Sequence, residues 1–297
     1  MKVLLNLCIE ALDYRYSFPH GIYERKLRYP YLLEQSGRHS LPVGMTASVD
    51  DLQSEKHHDV GDHLAVLIEN ISADISDIRG LRHIHSQCTI NDNFLGSRCL
   101  RIHHEHGLPC ESIAIDQVGT AGIGASLMLL GLSRSQGCVL LTCADQWLSP
   151  FTTTSIEGFS YQDACGALFL GSSFTDQTIA TIEWISSFSG HKSESHENLF
   201  QSFSIWLSRL VRDKASSPDL VIGEAYPTYL TKHIGSVLTV SNVAPARSSH
   251  EASAAAIASI VEGSKSLQNG GRALIWSLSL SGHGYAFFVD YNKRKER

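Results

Sequence analysis

The sequence predicts an α/β fold in which mixed sheets are covered by layers of helices. Strand and helix patterns alternate along most of the 297 residues, and the strand patterns are short apolar runs. The same alternation returns after a break at 171–176, which indicates two halves of the same type. Alternating helices and buried apolar strands are typical of sheets that carry helices on their faces.

The first half is predicted to cover residues 1–173. Its opening, MKVLLNLCIEAL, is predicted to be a strand, and residues 14–62 an irregular surface excursion, because they combine polar, aromatic and turn residues with weak periodicity. From His63 the apolar residues recur near helical spacing, which predicts a helix. The further predicted elements are a strand in 81–90, a helix in 93–107, a strand in 111–118, a helix at 120–135 and strands in 137–147 and 160–173.

The second half is predicted to cover residues 174–297 and to repeat this order of elements. The segment ENLFQSFSIWLSRLVRDKA is strongly periodic, which predicts a helix. The predicted strands lie in 178–190, 219–225, 237–242, 272–280 and 285–291, and the predicted helices in 197–215, 227–235 and 249–268. No sequence repeat is visible, so the idea of a duplication rests on the order of elements alone.

Composition and charge exclude several classes of protein. The net charge of −6 argues against a nucleic-acid-binding protein, because such domains are usually basic. Seven cysteines without any Cys-x-x-Cys pair are typical of a reduced compartment. No apolar stretch approaches the ~20 residues that cross a bilayer, and the N-terminus lacks a signal-peptide cleavage site. We therefore predict a cytoplasmic protein that binds neither nucleic acid nor membrane.

Three stretches resemble the thiolase-like fold, and within it the type III ketoacyl-acyl-carrier-protein synthases. IAIDQVGTAGIGASLMLLGLSRSQGCVLLTCADQWLS is similar to the family's strand, nucleophile turn, buried helix and next strand. SYQDACGALFLGSS is similar to a strand that ordinarily reads Gly-Asp-Gly-Ala-Gly-Ala; Asp163, Gly166 and Ala167 remain. The third stretch runs from SHEASAAAIASIVEG to GGRALIWSLSLSGHGYAFFVD. The resemblance implies two pseudo-repeated halves with mixed five-stranded sheets in an α-β-α-β-α layering.

Members of that family condense acyl groups with a cysteine, a histidine and an asparagine. The cysteine lies where the buried helix begins, and there the helix dipole and the free backbone N–H groups favour the thiolate. The histidine and the asparagine donate hydrogen bonds to the thioester oxygen of a malonyl unit. These bonds stabilise the enolate that forms when carbon dioxide is lost.

All three positions differ in this chain. The resemblance aligns the family's Ala-Cys-Ser-Gly with residues 119–122, so that Thr120 replaces the cysteine. Glu224 falls at the histidine, and Glu251 or His250 falls at the asparagine. A threonine hydroxyl needs a strong adjacent base to attack, while an ionised glutamate has no proton to donate and repels a malonyl carboxylate. The chain is therefore predicted to lack decarboxylative condensation.

Other roles for these residues stay open. Thr120 is either a nucleophile or oxyanion donor, or, as the simpler interpretation, an N-cap that satisfies a free N–H at the helix start. His250 is either a general base, as in relatives that transfer acyl groups without condensing, or a histidine at a helix start. His283 lies in the last hairpin, either as a base for Thr120 or as a turn residue. Glu224 and Glu251 are further candidate bases.

Two histidine clusters invite a zinc interpretation that their spacing does not support. His83 and His85 would share one strand face, and RIHHEHG adds His103, His104 and His106. Neither cluster offers four ligands at the paired spacing of structural zinc sites, so we interpret both as surface or packing histidines. We predict no metal and no cofactor.

The leading functional prediction is a partner or scaffold subunit. A shortened relative without the nucleophile is similar to the inactive chain of the two-chain condensing enzyme that forms alkylquinolones. The expected partner is an active ketosynthase in a heterodimer, with a homodimer as the alternative, and the expected pathway makes a fatty acid, a polyketide or a related secondary metabolite. Residues 138–147 are the predicted interface strand. The alternative function is an acyltransferase or thioesterase that uses an acyl-carrier-protein or coenzyme A thioester.

Overall fold

The computed structural model describes the greater part of the chain. The described residues are 2–16, 60–73, 81–87, 98–105, 107, 112–115, 118–133, 137–145, 164–176, 178–190, 195–211, 217–237 and 252–293. The strands within these ranges are β1 Lys2–Tyr16, β2 Arg82–Ser86, β3 Ser112–Ile115, β4 Val139–Asp145, β5 Ala164–Gly171, β6 Ala180–Ser189, β7 Leu220–Ile222, β8 Gly271–Leu278 and β9 His283–Tyr291.

The helices in the described part connect these strands. They are α1 Val60–Ala73, α2 Arg98–Glu105, α3 Gly122–Ser133, α4 His196–Val211, α5 Thr228–Val237 and α6 Ala255–Ser266. Short 3-10 turns over Gly119–Ala121 and Ala252–Ala254 lead directly into α3 and α6. Among the described helices, none combines the length and the apolar character needed to span a membrane.

The described strands form one mixed sheet in the order β3-β2-β4-β5-β1-β6-β9-β8-β7. β1 and β6 pair antiparallel at its centre, so hydrogen bonding continues from the first part of the chain into the second. On one side of this centre, β1 pairs antiparallel with β5, β5 pairs antiparallel with β4, and β4 pairs parallel with β2. On the other side, β6 pairs antiparallel with β9, β9 pairs antiparallel with β8, and β8 pairs parallel with β7. The predicted mixed α/β architecture is confirmed, and the division of the chain after residue 173 stays a prediction.

Two predicted segments differ from the structure or lie outside it. β1 runs to Tyr16 and α1 begins at Val60, so both ends of the predicted excursion over 14–62 belong to regular elements; 17–59 lie outside the described residues. Pairing with β5 carries β1 this far. The strand predicted over 237–242 lies outside the described residues except for Val237, which ends α5.

α3 and α6 lie between two parts of the sheet, one formed by β3, β2, β4, β5 and β1 and the other by β6, β9, β8 and β7. α3 is apolar on nearly every side, as a helix in the interior must be, and Ile123 and Leu127 are fully buried. Together with Ile257 and Ile260 of α6 they share one core with strands from both parts of the sheet. α1 and α2 cover the face of β4 and β5 that points away from α3 and α6. α4 and α5 cover the corresponding face of β7 and β8. This arrangement confirms the predicted α-β-α-β-α layering.

β4 lies in the interior of the sheet. It pairs with β2 along one edge and with β5 along the other, and all of its residues are buried. The prediction that residues 138–147 form the interface strand is therefore wrong, because a strand with both edges paired offers no backbone N–H or C=O groups to another chain. In the described sheet, the strand at the end of this side is β3.

Candidate functional site

The candidate site lies where α3 begins, next to the carboxyl ends of β2 and β4. The chain reaches α3 through Gly119, whose φ of 60° is a backbone conformation that favours glycine. A Cβ at Gly119 would lie 1.9 Å from the Ser279 hydroxyl oxygen. The turn therefore requires glycine for two reasons, and the β8–β9 hairpin packs directly against it.

Thr120 follows in this turn, and its hydroxyl is buried. The residue is 4% exposed, and Oγ1 has no hydrogen-bond partner among the described residues. The N-cap residue of the turn is Val118, and no side chain caps the turn. The N-cap interpretation of Thr120 is therefore wrong, because the residue lies inside the turn and its hydroxyl satisfies no backbone N–H group.

Two more polar groups without partners lie at the end of β2. The Ser86 Oγ lies 1.7 Å from the place where a Cβ of Gly122 would be, so it touches the first residue of α3. Ser86 is fully buried and Gln87 is 8% exposed. Within the described residues, Ser86 Oγ and Gln87 Oε1 make no hydrogen bond. Such atoms are rare in protein interiors, so hydrogen-bonding capacity is unused beside the start of α3.

The start of α6 is satisfied by a carboxylate from β4. Asp145, which is fully buried, accepts a hydrogen bond of 2.8 Å from the backbone N–H of Ser253 and a second one from its hydroxyl. The Ser253 Oγ also lies 3.4 Å from the carbonyl oxygen of Ser86, which brings the two helix starts together. The sequence reasoning missed both residues; the available signal was an aspartate that ends an otherwise apolar strand.

Glu224, predicted at the place of the family's histidine, holds the end of β8. It is 2% exposed, and its carboxylate accepts hydrogen bonds from the Ser277 hydroxyl at 2.6 Å and from the backbone N–H of Leu278 at 3.0 Å. The Tyr226 hydroxyl donates to the carbonyl of Leu278. These bonds fix the strand from which the hairpin starts, and they occupy both oxygens of the carboxylate.

His283 opens β9 on the far side of that hairpin. Its carbonyl accepts a hydrogen bond of 2.8 Å from the backbone N–H of Ser279, and its side chain is half-buried. Tyr285 lies two residues further on the same strand face, and its ring packs against Gly124 of α3. The structure thus brings His283 to the α3 side of the sheet. It does not join it to Thr120 by a hydrogen bond.

The remaining candidates contribute no described base or nucleophile. His250 and Glu251 lie outside the described residues. Cys143, on β4, is fully buried and its thiol donates to the carbonyl of Gly166 at 3.6 Å. Burial, with smaller contributions from the nearby Asp145 and Cys165, raises the pKa of the Cys143 thiol well above its ordinary value. Cys143 is therefore a packing residue and not a candidate nucleophile.

The histidine clusters separate into buried and exposed members. His83 and His85 are fully buried on β2 and both hydrogen-bond to Thr142 at 2.8 Å. His103 is half-buried and His104 exposed on α2. No three His, Cys, Asp or Glu side chains lie together as a metal site in the described part of the chain.

Comparison with known proteins relates this chain to solved structures alone. No protein-family model matches it, and no curated protein matches it. The structure of ChlB3, an acyltransferase, is similar with a TM-score of 0.69 and 12% identity over 97% of this chain and 98% of that one. A variant of OleA from Xanthomonas campestris gives a TM-score of 0.65 and 12% identity over 97% of this chain and 100% of the other.

A further similar structure is AbyA1, a tetronic acid condensing enzyme. Its TM-score is 0.64 at 12% identity, and the match covers 96% of this chain and 100% of that one. Matches over nearly the full length of both partners show a thiolase-like fold. At this level of identity they show the fold and leave the activity to the site itself.

Proposed function

We propose that this chain is a ketosynthase III-like protein that does not carry out decarboxylative condensation and that completes a two-chain condensing enzyme as the partner of an active ketosynthase. The described fold supports the family, since the similar structures include a condensing enzyme and an acyltransferase. The site supports the loss of condensation. The pathway is one of fatty-acid, polyketide or related secondary-metabolite synthesis.

The state of Thr120 carries this proposal. The resemblance aligns Thr120 with the family's cysteine, and no described base is hydrogen-bonded to its hydroxyl. A threonine hydroxyl without a base is a poor nucleophile. The Glu224 side chain, which the resemblance aligns with the histidine, accepts protein hydrogen bonds on both of its oxygens, so it is held by protein groups and does not replace the family's donor to an enolate oxygen. Neither acyl loading nor enolate stabilisation is therefore expected.

The β3 edge is the surface that we assign to the partner chain. β3 pairs with β2 along one edge, and the described sheet ends there. Ile113 is 44% exposed and Ala114 is also exposed. A strand at a sheet end offers its backbone groups to a strand of another chain. We propose that a strand of the active ketosynthase pairs with β3.

Loss of condensation is tested by intact mass and by release of carbon dioxide. The purified chain is incubated with acyl-coenzyme A, acyl-carrier-protein and malonyl thioesters, and we expect neither a covalent adduct nor carbon dioxide. Thr120→Cys is expected to gain an acyl adduct, since the helix start favours a thiolate, but still no carbon dioxide. Ser126→Cys, one turn further into α3, is the control and should gain nothing. Carbon dioxide from the wild-type chain would refute the proposal.

The partner role is tested by co-expression with an active type III ketosynthase from the same genome. We expect one copy of each chain to elute as a single complex. Ile113→Asp should abolish the complex, because it places a charge on the assigned edge. Ile205→Asp is the matched control, since Ile205 on α4 is also 44% exposed. Equal binding by both variants would place the partner elsewhere.

A second candidate function rests on the same free hydroxyl. Because Thr120 Oγ1 is occupied by no described group, it could act as the nucleophile or oxyanion donor of an acyltransferase or thioesterase, with His250, Glu251 or His283 as base. In that case acyl-thioester turnover would be lost in Thr120→Ala and retained in Thr120→Ser. Absence of turnover in the wild-type chain would exclude this function for the thioesters tested.

A further inference from the structure

The two central helices begin with turns of the same construction. Short 3-10 turns over Gly119–Ala121 and Ala252–Ala254 lead directly into α3 and α6, which are both twelve residues long. The middle residue of each turn carries a buried hydroxyl, Thr120 before α3 and Ser253 before α6. The two turns are therefore equivalent positions, and the groups that surround them can be compared one by one.

At the start of α6 the sheet supplies a carboxylate. Asp145 is the last residue of β4. Its side chain accepts a hydrogen bond of 2.8 Å from the backbone N–H of Ser253 and a second one from the hydroxyl of the same residue. One carboxylate thus accepts from both donors that the middle residue of this turn offers.

At the start of α3 the equivalent strand supplies no carboxylate. β8 corresponds to β4, because each pairs parallel with an outer strand and antiparallel with an inner one. β8 ends at Leu278, and the next residue, Ser279, packs against Gly119 of the turn. The Ser279 hydroxyl lies 2.8 Å from the Ser281 hydroxyl. Nor does the first turn of α3, which is fully described, carry an acidic residue.

Two buried hydroxyls at the start of α3 have no described partner. Thr120 is 4% exposed and Ser86 is fully buried, and neither hydroxyl oxygen makes a hydrogen bond within the described part of the chain. The Ser86 Oγ lies against Gly122, the first residue of α3. Each hydroxyl can donate a hydrogen bond, and the first backbone N–H groups of a helix have no partner within it. Donors are therefore in excess at this helix start.

We propose that the start of α3 binds the carboxylate of a small organic acid, which accepts hydrogen bonds from Thr120 as Asp145 does from Ser253. The N-terminus of a helix favours a negative charge, and hydrogen bonds to a carboxylate are stronger than those to a neutral acceptor. The Ser86 hydroxyl is a further donor beside the same helix start. This inference goes beyond the proposed function, since it requires neither a partner chain nor a chemical step.

The neighbouring side chains indicate an acid with a single carboxylate and an aliphatic body. Ala121 and Ile123, on either side of Gly122, are fully buried, and the Val118 side chain lies beside Ser86 at the same glycine. A second charged group on the ligand would lose its hydration among these apolar side chains, which is costly without a partner. A monocarboxylic acid with a hydrocarbon chain fits this surrounding.

The test is isothermal titration calorimetry of the full chain with sodium octanoate and with octanamide. The two compounds share the same hydrocarbon chain, and only octanoate carries a charge. We expect saturable binding of octanoate and at least about tenfold weaker binding of octanamide. Thr120→Val keeps the volume of the side chain but removes a donor to the carboxylate, so it should weaken octanoate binding about tenfold. Ser86→Ala should weaken it as well.

Ser126→Ala is the matched control. Ser126 is fully buried on α3, and its hydroxyl donates to the carbonyl of Gly122 at 2.9 Å, so its loss should leave octanoate binding unchanged. Circular dichroism shows that each variant is folded. No binding of octanoate, equal binding of octanamide, or full affinity in Thr120→Val would each overturn the carboxylate site. None of these results bears on the ketosynthase complex or on the release of carbon dioxide, so the proposed function is tested separately.

Discussion

The two central helices of this fold begin in opposite ways. At α6, the buried carboxylate of Asp145 accepts hydrogen bonds from the N–H and the hydroxyl of Ser253, so a hydrogen-bond acceptor stands at the end of the helix where backbone N–H groups lack intrahelical partners. At α3, no side chain caps the turn, and Thr120 and Ser86 hold buried hydroxyls without a described partner.

This difference indicates that the start of α6 stabilises the fold, while the start of α3 has another role. Buried polar atoms normally find partners, and each one left without a partner costs about 1–3 kcal/mol. Among the described residues, the chain satisfies the start of α6 with its own groups and leaves polar groups at the start of α3 without partners. A cost that packing does not explain is typical of a functional site. We therefore propose that any ligand or remaining chemistry lies at the α3 start and that the α6 start serves stability.

The largest effect is expected from removal of the α6 cap. Asp145→Ala takes away the acceptor and leaves the Ser253 N–H and hydroxyl buried without it. We expect a loss of about 3 kcal/mol in the free energy of unfolding, because each buried donor left without its acceptor costs about 1–3 kcal/mol. Urea denaturation followed by circular dichroism measures this loss. Asp145→Asn, which keeps an acceptor, should lose clearly less; equal losses would show that packing is what Asp145 provides.

A smaller loss in the free energy of unfolding is expected when a methyl group is added where Gly122 of α3 contacts Ser86. In Gly122→Ala the new Cβ would lie 1.7 Å from the Ser86 Oγ, so one of the two must move. Overpacking of this kind costs about 1–3 kcal/mol, measured again by urea denaturation. Ser86→Gly in the same chain should recover most of the loss. If Ser86→Gly does not reduce the loss caused by Gly122→Ala, the contact between these two residues is not what limits the packing of the helix start.

The position of the α3 start could be predicted from the sequence because its signals are local. An apolar strand, two glycines and an all-apolar helix follow one another within about twenty residues, and this pattern placed Thr120 in the turn. The layering followed from the alternation of strands and helices. Local patterns do not reveal strand pairing. The resemblance predicts an interface strand at 138–147, but both edges of β4 are paired within the sheet.

The partners of the site residues could not be predicted, because they are distant in sequence. Asp145 and Ser253 are 108 residues apart, and Glu224 lies 53 residues from Ser277. The sequence reasoning placed Glu224 near the centre as a replaced catalytic residue. In the structure its carboxylate is a hydrogen-bond acceptor at the end of β8. A single sequence carries no signal that distinguishes these two roles.

Loss of the Ser253 hydroxyl alone is expected to have a moderate effect. Ser253→Ala removes one of the two hydrogen bonds to Asp145 and keeps the backbone one. We expect a loss of about 1–2 kcal/mol in the free energy of unfolding, since the remaining carboxylate loses one buried donor. The urea midpoint measures it. A loss as large as that of Asp145→Ala would mean that the hydroxyl hydrogen bond, and not the backbone one, supplies the stabilisation by Asp145.

The smallest change in the free energy of unfolding is expected from a substitution at Thr120, and this change is an increase where the others are losses. Thr120→Val replaces the hydroxyl with a methyl group of similar volume and removes a buried polar atom that has no described partner. Because no hydrogen bond is lost, the free energy of unfolding should stay equal or rise by up to about 1 kcal/mol, in contrast to Ser253→Ala at the other helix start. A loss of more than about 1 kcal/mol would show that the Thr120 hydroxyl is bound in solution, by water or by a retained ligand. In that case the contrast between the two starts would lie in what binds them, with protein groups at α6 and solvent or ligand at α3.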